Sequence, residues 1–543
     1  MKIGILIRDF SLLENFELRI IDQILNDPAL ELGLLIKDGR IKPASKKQKI
    51  IKLLRSKNIL GKILFKIQYK IESRLFKFNN ARDKDKIISI LEKVECIELS
   101  PTRKGFLDVF STHDSAIVKQ YNVDILLRHE FSIIRGDILN AATHGIWSFH
   151  HGDNSINRGG PAGFWEIVLK QPVVGVTLQK LTSELDGGLV LDKGFFNRDY
   201  SYLRTYNKIL EGSVSILFKN INKLQNGSIV TSKSGLYYNP LYRDPGFYYV
   251  LKYIFHFYKT VVKRLLDPYL FKFFGLRSDC WTLFIGKGPF LESTLYKLKP
   301  VELPKNQFWA DPFLFNHNNE MYTFFENYDY KKSRGKISCG KVVAGKIENV
   351  TDVLDLKYHL SYPFVFKEEE DIYMIPETQQ TKRIEIYKCT RFPDQWELFS
   401  TAMEGESVVD TTYFKDDFGQ RWLFLCKGII DKVELYIYKI DSLKMENLQS
   451  HKMNPICIDA RNARSAGPLF KYNGNYYRPS QFNAYGIYGF GLNINVIKKL
   501  NLDEYLEETV TTIEPNFRKG IVATHHVHQL DNIFILDACY KRK

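Results

Sequence analysis

Residues 144 to 192 read HGIWSFHHGDNSINRGGPAGFWEIVLKQPVVGVTLQKLTSELDGGLVLD. The apolar approach through Ile146 and Trp147 is strand-like, and it delivers Ser148, His150, His151 and Asp153 into one short loop. A Gly-rich turn carrying Arg158 follows, then a strand over 174 to 181, then Asp186 ahead of Gly187 and Gly188. Imidazoles and carboxylates brought together in this way supply the groups for proton transfer near neutral pH.

Working outward, residues 1 to 8 read as a buried strand, 14 to 26 have helix spacing and 31 to 36 form a second strand. That opening begins a doubly wound α/β domain. It lacks G-x-G-x-x-G, so a nicotinamide cofactor has no support. The pattern resumes over 87 to 99 and 116 to 128, where a helix leads into a strand ending at Arg128, His129 and Glu130. A short helix is expected over 136 to 143, and a closing helix over 202 to 223.

The central stretch resembles the formyltransferase fold family, whose members carry an Asn-x-His pair, an Arg-Gly-x-x-Pro loop, a Gly-Val-Thr strand and an Asp-x-Gly turn. The matching residues are Ser148-Phe149-His150, Arg158-Gly159-Gly160-Pro161, Gly175-Val176-Thr177 and Asp186-Gly187-Gly188. The resemblance implies that His150 shuttles the proton of an attacking amine, that Asp186 orients His150, and that the donor is 10-formyltetrahydrofolate. Ser148 stands where the family has the Asn that donates to the developing oxyanion. Arg128 to Glu130 stand where the family's folate pocket is small or apolar. His151, Asp153 and Arg158 are secondary candidates in the same loop.

At 543 residues the chain is too long for one core, and two or three domains are expected. The formal charge is +15, so nucleic acid, an anionic membrane face or anionic substrates are the classes to weigh. Between 40 and 77, thirteen Lys or Arg face a single Glu. Lys62, Lys66, Lys70, Arg74 and Lys77 recur at helical spacing, with Ile63, Leu64, Ile67, Ile71 and Leu75 as the opposite stripe. Such a helix suits either an anionic membrane surface or a solvated face packed on its own domain. Nucleic acid is disfavoured, because no binding motif accompanies the charge. Seven Cys without C-x-x-C spacing point away from zinc and from a disulfide framework, and no metal is expected. The chain opens on a strand and has no bilayer-length apolar run, so a cytoplasmic protein, peripheral on the inner face of a membrane, is the expectation.

Residues 1–224 thus form the α/β domain with a basic insertion at 40–77, and 225–278 form an amphipathic helical linker. In the linker, Lys252, His256, Lys259 and Lys263 make one basic stripe on an aromatic helix. From 279 to 543 the pattern changes to short strands, with similar hairpins beginning at 309, 361, 409, 466 and 524. Repeats of about fifty residues imply an all-β five-bladed propeller. Matching positions in such repeats converge on the axis. They are Asp311, Tyr362, Asp410, Gly467 and the pair His525 and His526, with Glu326, Glu377 and Arg478 at neighbouring strand ends.

This half is similar to the propeller domain of plant glucosamine inositolphosphorylceramide transferases through HLSYPFVF (359 to 366), IYMIPE (372 to 377), YRPSQ (477 to 481) and HHVHQL (525 to 530). It also looks like the furanosidase-type five-bladed glycoside hydrolases, in which Asp311 with Glu377 or Asp410 would serve as acid and base. The expected function is formyl transfer to an amino sugar, carried on a nucleotide or glycolipid, with the propeller binding carbohydrate near the first domain. The alternatives are a hydrolase or glycosyl-transfer enzyme acting in the propeller, and a non-catalytic glycan-binding protein.

Overall fold

A computed structural model describes residues 1–40, 58–78, 84–184, 188–233, 235–276, 278–429 and 432–542. Two compact units divide at Tyr258 and Lys259. No helix among the described residues is long and apolar enough to cross a membrane.

Unit 1 contains β1 (Lys2–Ile7), α1 (Asn15–Asn26), β2 (Glu31–Asp38), α2 (Ile59–Leu75), α3 (Lys84–Leu91), β3 (Cys96–Leu99), β4 (Thr102–Lys104), β5 (Leu107–Val109) and α4 (Thr112–Lys119). Next come β6 (Ile125–Arg128), β7 (Ile133–Arg135), β8 (Ile146–His150), α5 (Phe164–Val168), β9 (Val173–Lys180), β10 (Leu189–Asn197), α6 (Tyr202–Gln225) and β11 (Ser232–Lys233). The main sheet runs β3-β2-β1-β6-β8-β9-β10-β11. Its first five strands are parallel and the rest antiparallel. Ile3, Ile5, Leu6 and Ile7 of β1 are fully buried, the unbroken apolar run that a parallel strand covered on both faces requires. Strand order reverses between β1 and β6, so the carboxyl ends of these strands open a crevice of the kind that binds ligands in α/β sheets. The expected helix at 136 to 143 is a single 3-10 turn over Asp137–Asn140.

Within the basic insertion, α2 turns a polar side inward. Its buried residues are Gly61, Gln68 and Glu72, while Leu60, Ile63, Ile67 and Leu75 are exposed beside the lysines. Glu72 is the reason. Its carboxylate accepts from Ser201 Oγ at 2.5 Å and Leu203 N at 3.1 Å, both in the first turn of α6, and from the Tyr253 hydroxyl. An anion at a helix N-terminus is favourable, and it turns the polar side of α2 inward. Gly61 completes the contact, since a Cβ there would lie 2.6 Å from the Pro245 carbonyl. Arg40 belongs to the same insertion, and residues 41 to 57 lie outside the described residues.

The expected linker begins as β11 in the main sheet and continues as α7 (Phe247–Phe274). Unit 2 then holds β12 (Ser278–Lys287) and four four-stranded antiparallel sheets. They are β13 to β16 (Gln307–His317, Glu320–Asp329, Arg334–Val343, Lys346–Leu354) and β17 to β20 (Ser361–Glu368, Asp371–Glu377, Ile384–Arg391, Gln395–Ala402). Next are β21 to β24 (Val408–Lys415, Arg421–Ile429, Lys432–Ile440, Leu448–Ser450) and β25 to β28 (Phe470–Tyr472, Asn475–Ala484, Ile487–Leu500, Tyr505–Ile513). A fifth sheet joins β12 to the last strands, β29 (Ile521–Ala523), β30 (Val527–Leu530) and β31 (Ile533–Arg542), with β12 hydrogen-bonded along β31.

The repeated positions share one backbone device. Asp311, Tyr362 and Asp410 have φ of 49°, 47° and 50°, each where the register of the first hairpin slips. Gly467 takes φ 133° at the corresponding place, where a Cβ would meet the Val527 carbonyl at 2.0 Å. A left-handed conformation costs a non-glycine residue about 1 kcal/mol, and a conformation repeated in three sheets is held by its surroundings.

Candidate functional sites

In unit 2, five elements bring buried ionisable groups together. Asp311 comes from β13, Glu326 from β14, Glu377 from the end of β18, Asp410 from β21 and Asp537 from β31. Between β30 and its predecessor, His525 places Nδ1 2.7 Å from Asp537 and Nε2 3.7 Å from Asp311. Asp537 is the anchor of this group. Its carboxylate also accepts the backbone N–H groups of Asp311, His525 and His526 at 3.0 to 3.1 Å. The Trp281 ring stacks on His525 at a centroid distance of 3.9 Å.

The expected axial arginine, Arg478, lies elsewhere. It is fully buried and donates to Glu507 at 2.6 and 2.8 Å and to the Asn462 carbonyl. Arg464 takes the central place instead. Its Nε bonds Asp410, its Nη2 reaches Glu377 at 3.3 Å, and its guanidinium lies 5.0 Å from the Tyr488 ring centroid. Arg464 lies in the run Asp459 to Gly467, where no repeat position or motif marks it. His526 is packed against Phe313 and Tyr362, at 4.5 and 5.3 Å.

Burial and crowding set the charges. Burial raises Asp311 to about 7, with Asp537 and Asp410 adding to the rise against the pull of His525. Burial also lifts Glu326 and Glu377 well above the carboxylate range, Glu326 with Asp311 as neighbour and Glu377 with Asp410. Burial opposes a charge on His525, yet Asp537 and Asp311 more than offset it and its pKa is raised. Asp537 is lowered in return, because His525 outweighs its own burial. His526 is driven down to about 3 by burial and stays neutral. The result is a group of protonated carboxyls beside one carboxylate–imidazolium pair, able to donate to and accept from hydroxyl-rich ligands. Ligand atoms of Asp311, His525 and Asp537 lie within 4.8 Å of one another, a spacing that can hold a cation and that the sequence reading did not anticipate.

In unit 1, Ser148 and His150 lie two residues apart on β8 and therefore share a face. His150 Nε2 is 2.6 Å from the Asn157 carbonyl oxygen. A carbonyl only accepts, so the proton sits on Nε2 and Nδ1 is the basic nitrogen. Ser148 is paired in register with Arg128 of β6, whose Nε donates to the Ser148 hydroxyl at 2.9 Å. Arg128 also donates to the carbonyls of Phe131 and Ser132. A cavity of about 140 Å³ is lined by Arg128, Arg135, Phe149, His150, Gln179 and Glu184, among others.

The other loop candidates hold the loop together. His151 stacks on Phe149 and is pushed down to about 4 by burial, so it carries no proton at neutral pH. Asp153 is paired with Lys193 at 2.6 Å, and Arg158 bonds the Asn154 carbonyl and covers the Tyr237 ring. Of the next strand's end, Glu130 pairs with Arg8 at 3.1 Å and His129 with Glu17 at 3.2 Å. Asp186 lies outside the described residues.

Residues 294–537, in the β-sheet unit, match the family model described as Glucosamine inositolphosphorylceramide transferase 1, N-terminal. Among individual proteins, the chain is 34% identical over 225 residues to Glucosamine inositolphosphorylceramide transferase 1 of Oryza sativa subsp. japonica, which is 40% of this chain and 30% of that protein. The chain thus spans about 30% of the length of the curated relatives it matches. Among solved structures, it overlaps a sugar 3N-formyl transferase with 15% identity and a TM-score of 0.28, over 45% of this chain and 69% of the other. It also overlaps an endo-1,4-beta-xylanase of Bacteroides thetaiotaomicron with 17% identity and a TM-score of 0.33, over 42% and 84%.

Proposed function

We propose that this chain is a transferase-type enzyme of glycan biosynthesis, in which unit 1 transfers an acyl group to an amino sugar and unit 2 binds carbohydrate as a closed five-bladed propeller. The observation that carries the first half is His150, fixed by Asn157 with Nδ1 as its base, on the same cavity as Arg128, which is itself bonded to Ser148. In the reaction, the amine nitrogen attacks the acyl carbon and its proton passes to His150 Nδ1. Negative charge gathers on the acyl oxygen, where the Arg128 guanidinium, alone or through Ser148, supplies the stabilisation that the family obtains from Asn. As the bond to the leaving group breaks, His150 returns the proton to it.

For the donor implied by the resemblance, 10-formyltetrahydrofolate, the described part of the cavity is small and basic. Pockets for ligands of that size enclose about 300 Å³ or more behind mostly apolar walls. This one has about 140 Å³, with two guanidiniums in its lining.

In unit 2, Asp311, Glu377, Asp410 and Arg464 would bind sugar hydroxyls, with Trp281 and Tyr488 as aromatic faces. The β12–β31 pairing and the shared bulges support the closed-propeller reading. A second reading, glycosidic-bond chemistry in unit 2, is favoured by the burial of Glu377 and Asp311, which raises both carboxyls in the direction a general acid needs. The two readings separate by mutation. His150→Ala abolishes acyl transfer and leaves carbohydrate binding intact if the first holds, whereas Asp311→Asn removes all turnover if the second does.

Membrane association belongs to the same proposal. Of α7, only Val250, Tyr253 and Phe257 are buried, while Phe255, Val262, Leu265, Tyr269 and Phe273 are exposed among Lys252, Lys259, Lys263 and Lys272. Exposed apolar residues interleaved with cations suit an anionic lipid interface.

A further inference from the structure

We infer that the cavity beside His150 is an oxyanion site, in which Arg128 and Arg135 hold a carboxylate or phosphate carried by the ligand of unit 1. The two arginines reach the cavity from the ends of adjacent segments, β6 and β7. Neither has a carboxylate partner among the described residues. Arg128 donates to the Ser148 hydroxyl and two carbonyls, and Arg135 donates to the carbonyls of Ile134 and Thr182. These acceptors are all neutral.

Asp108, the carboxylate whose charge bears on Arg128, is already occupied. Its Oδ1 takes Arg40 and Arg103, each at 2.7 Å, and its Oδ2 takes the Ser132 N–H. The charged groups of the described lining are therefore two guanidiniums against Glu184, which is exposed. Two guanidiniums on one small cavity offer forked N–H donors, and a planar or tetrahedral oxyanion is the ligand whose geometry matches them. The cavity volume suits such a group. The ligand would thus present an acidic substituent next to the His150 base. This explains why Arg128 stands where a folate pocket would be apolar.

The inference rests on reading the His150 cavity as the ligand site of unit 1, and binding is measured without turnover. The full chain is titrated calorimetrically at low ionic strength with inorganic phosphate, acetate, glucuronate, glucosamine 6-phosphate and neutral glucosamine. Anionic probes should bind and glucosamine should not. Arg135→Gln should weaken anion binding about tenfold or more, while Lys471→Gln, a surface charge change in unit 2, should leave it unchanged. Preference for the phosphate or the carboxylate probes identifies the source of the anion. Should the Gln variant fail to fold, Arg135→Lys keeps the charge but loses the fork and should weaken binding partially.

Equal binding of glucosamine and its phosphate, or full anion affinity in both Arg135 variants, would overturn the inference. Arginine-dependent binding without any acyl transfer would instead overturn the catalytic reading and leave this site standing.

Discussion

Replacing Asp311 by Asn isolates the electrostatic core of unit 2. Asn keeps the shape of the side chain and tolerates φ of 49° better than other non-glycine residues. The backbone N–H that Asp311 gives to Asp537 is unaffected. The carboxyl is raised from 3.8 to about 7, so its protonated form is the one the fold favours. A group raised on folding contributes stability that is fully present below its unfolded pKa and is lost as pH rises through its folded pKa. The loss therefore falls between about pH 4 and pH 7, at about 1.4 kcal/mol per pH unit. For a domain of this size, 1 kcal/mol moves Tm by about 2 °C. Between pH 5 and pH 7 the wild type should therefore lose about 5 °C relative to Asp311→Asn. Thermal melting of both proteins in matched buffers reads the difference directly and cancels titrations elsewhere in the chain. Parallel Tm profiles across that range would refute the argument, because they would mean that Asp311 is ionised in the fold at ordinary pH.

Arg464→Met should destabilise unit 2 by about 3–5 kcal/mol, since it strips the cation from the buried Asp410 and a hydrogen bond from Glu377. Ser148→Ala should leave Arg128 Nε without its acceptor at a cost of about 1–3 kcal/mol, and should reduce acyl transfer less than His150→Ala does. Replacing Lys259, Lys263 and Lys272 together by Glu should abolish flotation with anionic vesicles at low salt. Wild-type flotation should itself weaken as salt shortens the Debye length. Flotation by the triple variant equal to wild type would remove the lipid-surface proposal.

Much of this architecture was legible in the chain because period and punctuation report backbone geometry. The unbroken apolar run of β1 marked a parallel strand. The fifty-residue recurrence marked equivalent sheet positions, and three of them share one left-handed bulge. What was not legible depended on tertiary partners. The stripes of α2 left open whether its apolar side meets a lipid surface or its own domain, and only the tertiary contact of Glu72 with the start of α6 shows which side is turned inward. Arg464 carries no local mark, because the two acids it meets lie more than fifty residues earlier in the chain. Likewise Ser148 read as a weakened Asn, whereas its register partner Arg128 comes from another strand and changes the chemistry of the position.

The account turns on His150, and one measurement tests it most directly. The full chain and His150→Ala are incubated with glucosamine 6-phosphate and, separately, formyl phosphate, acetyl phosphate and 10-formyltetrahydrofolate, and N-acylated sugar is quantified by mass spectrometry. The account predicts enzyme-dependent N-acylation by the wild type from a small acyl donor, none by His150→Ala, and no loss on replacing Asp311. Equal product from wild type and His150→Ala, or turnover that vanishes only with Asp311, would contradict it and move the chemistry to unit 2.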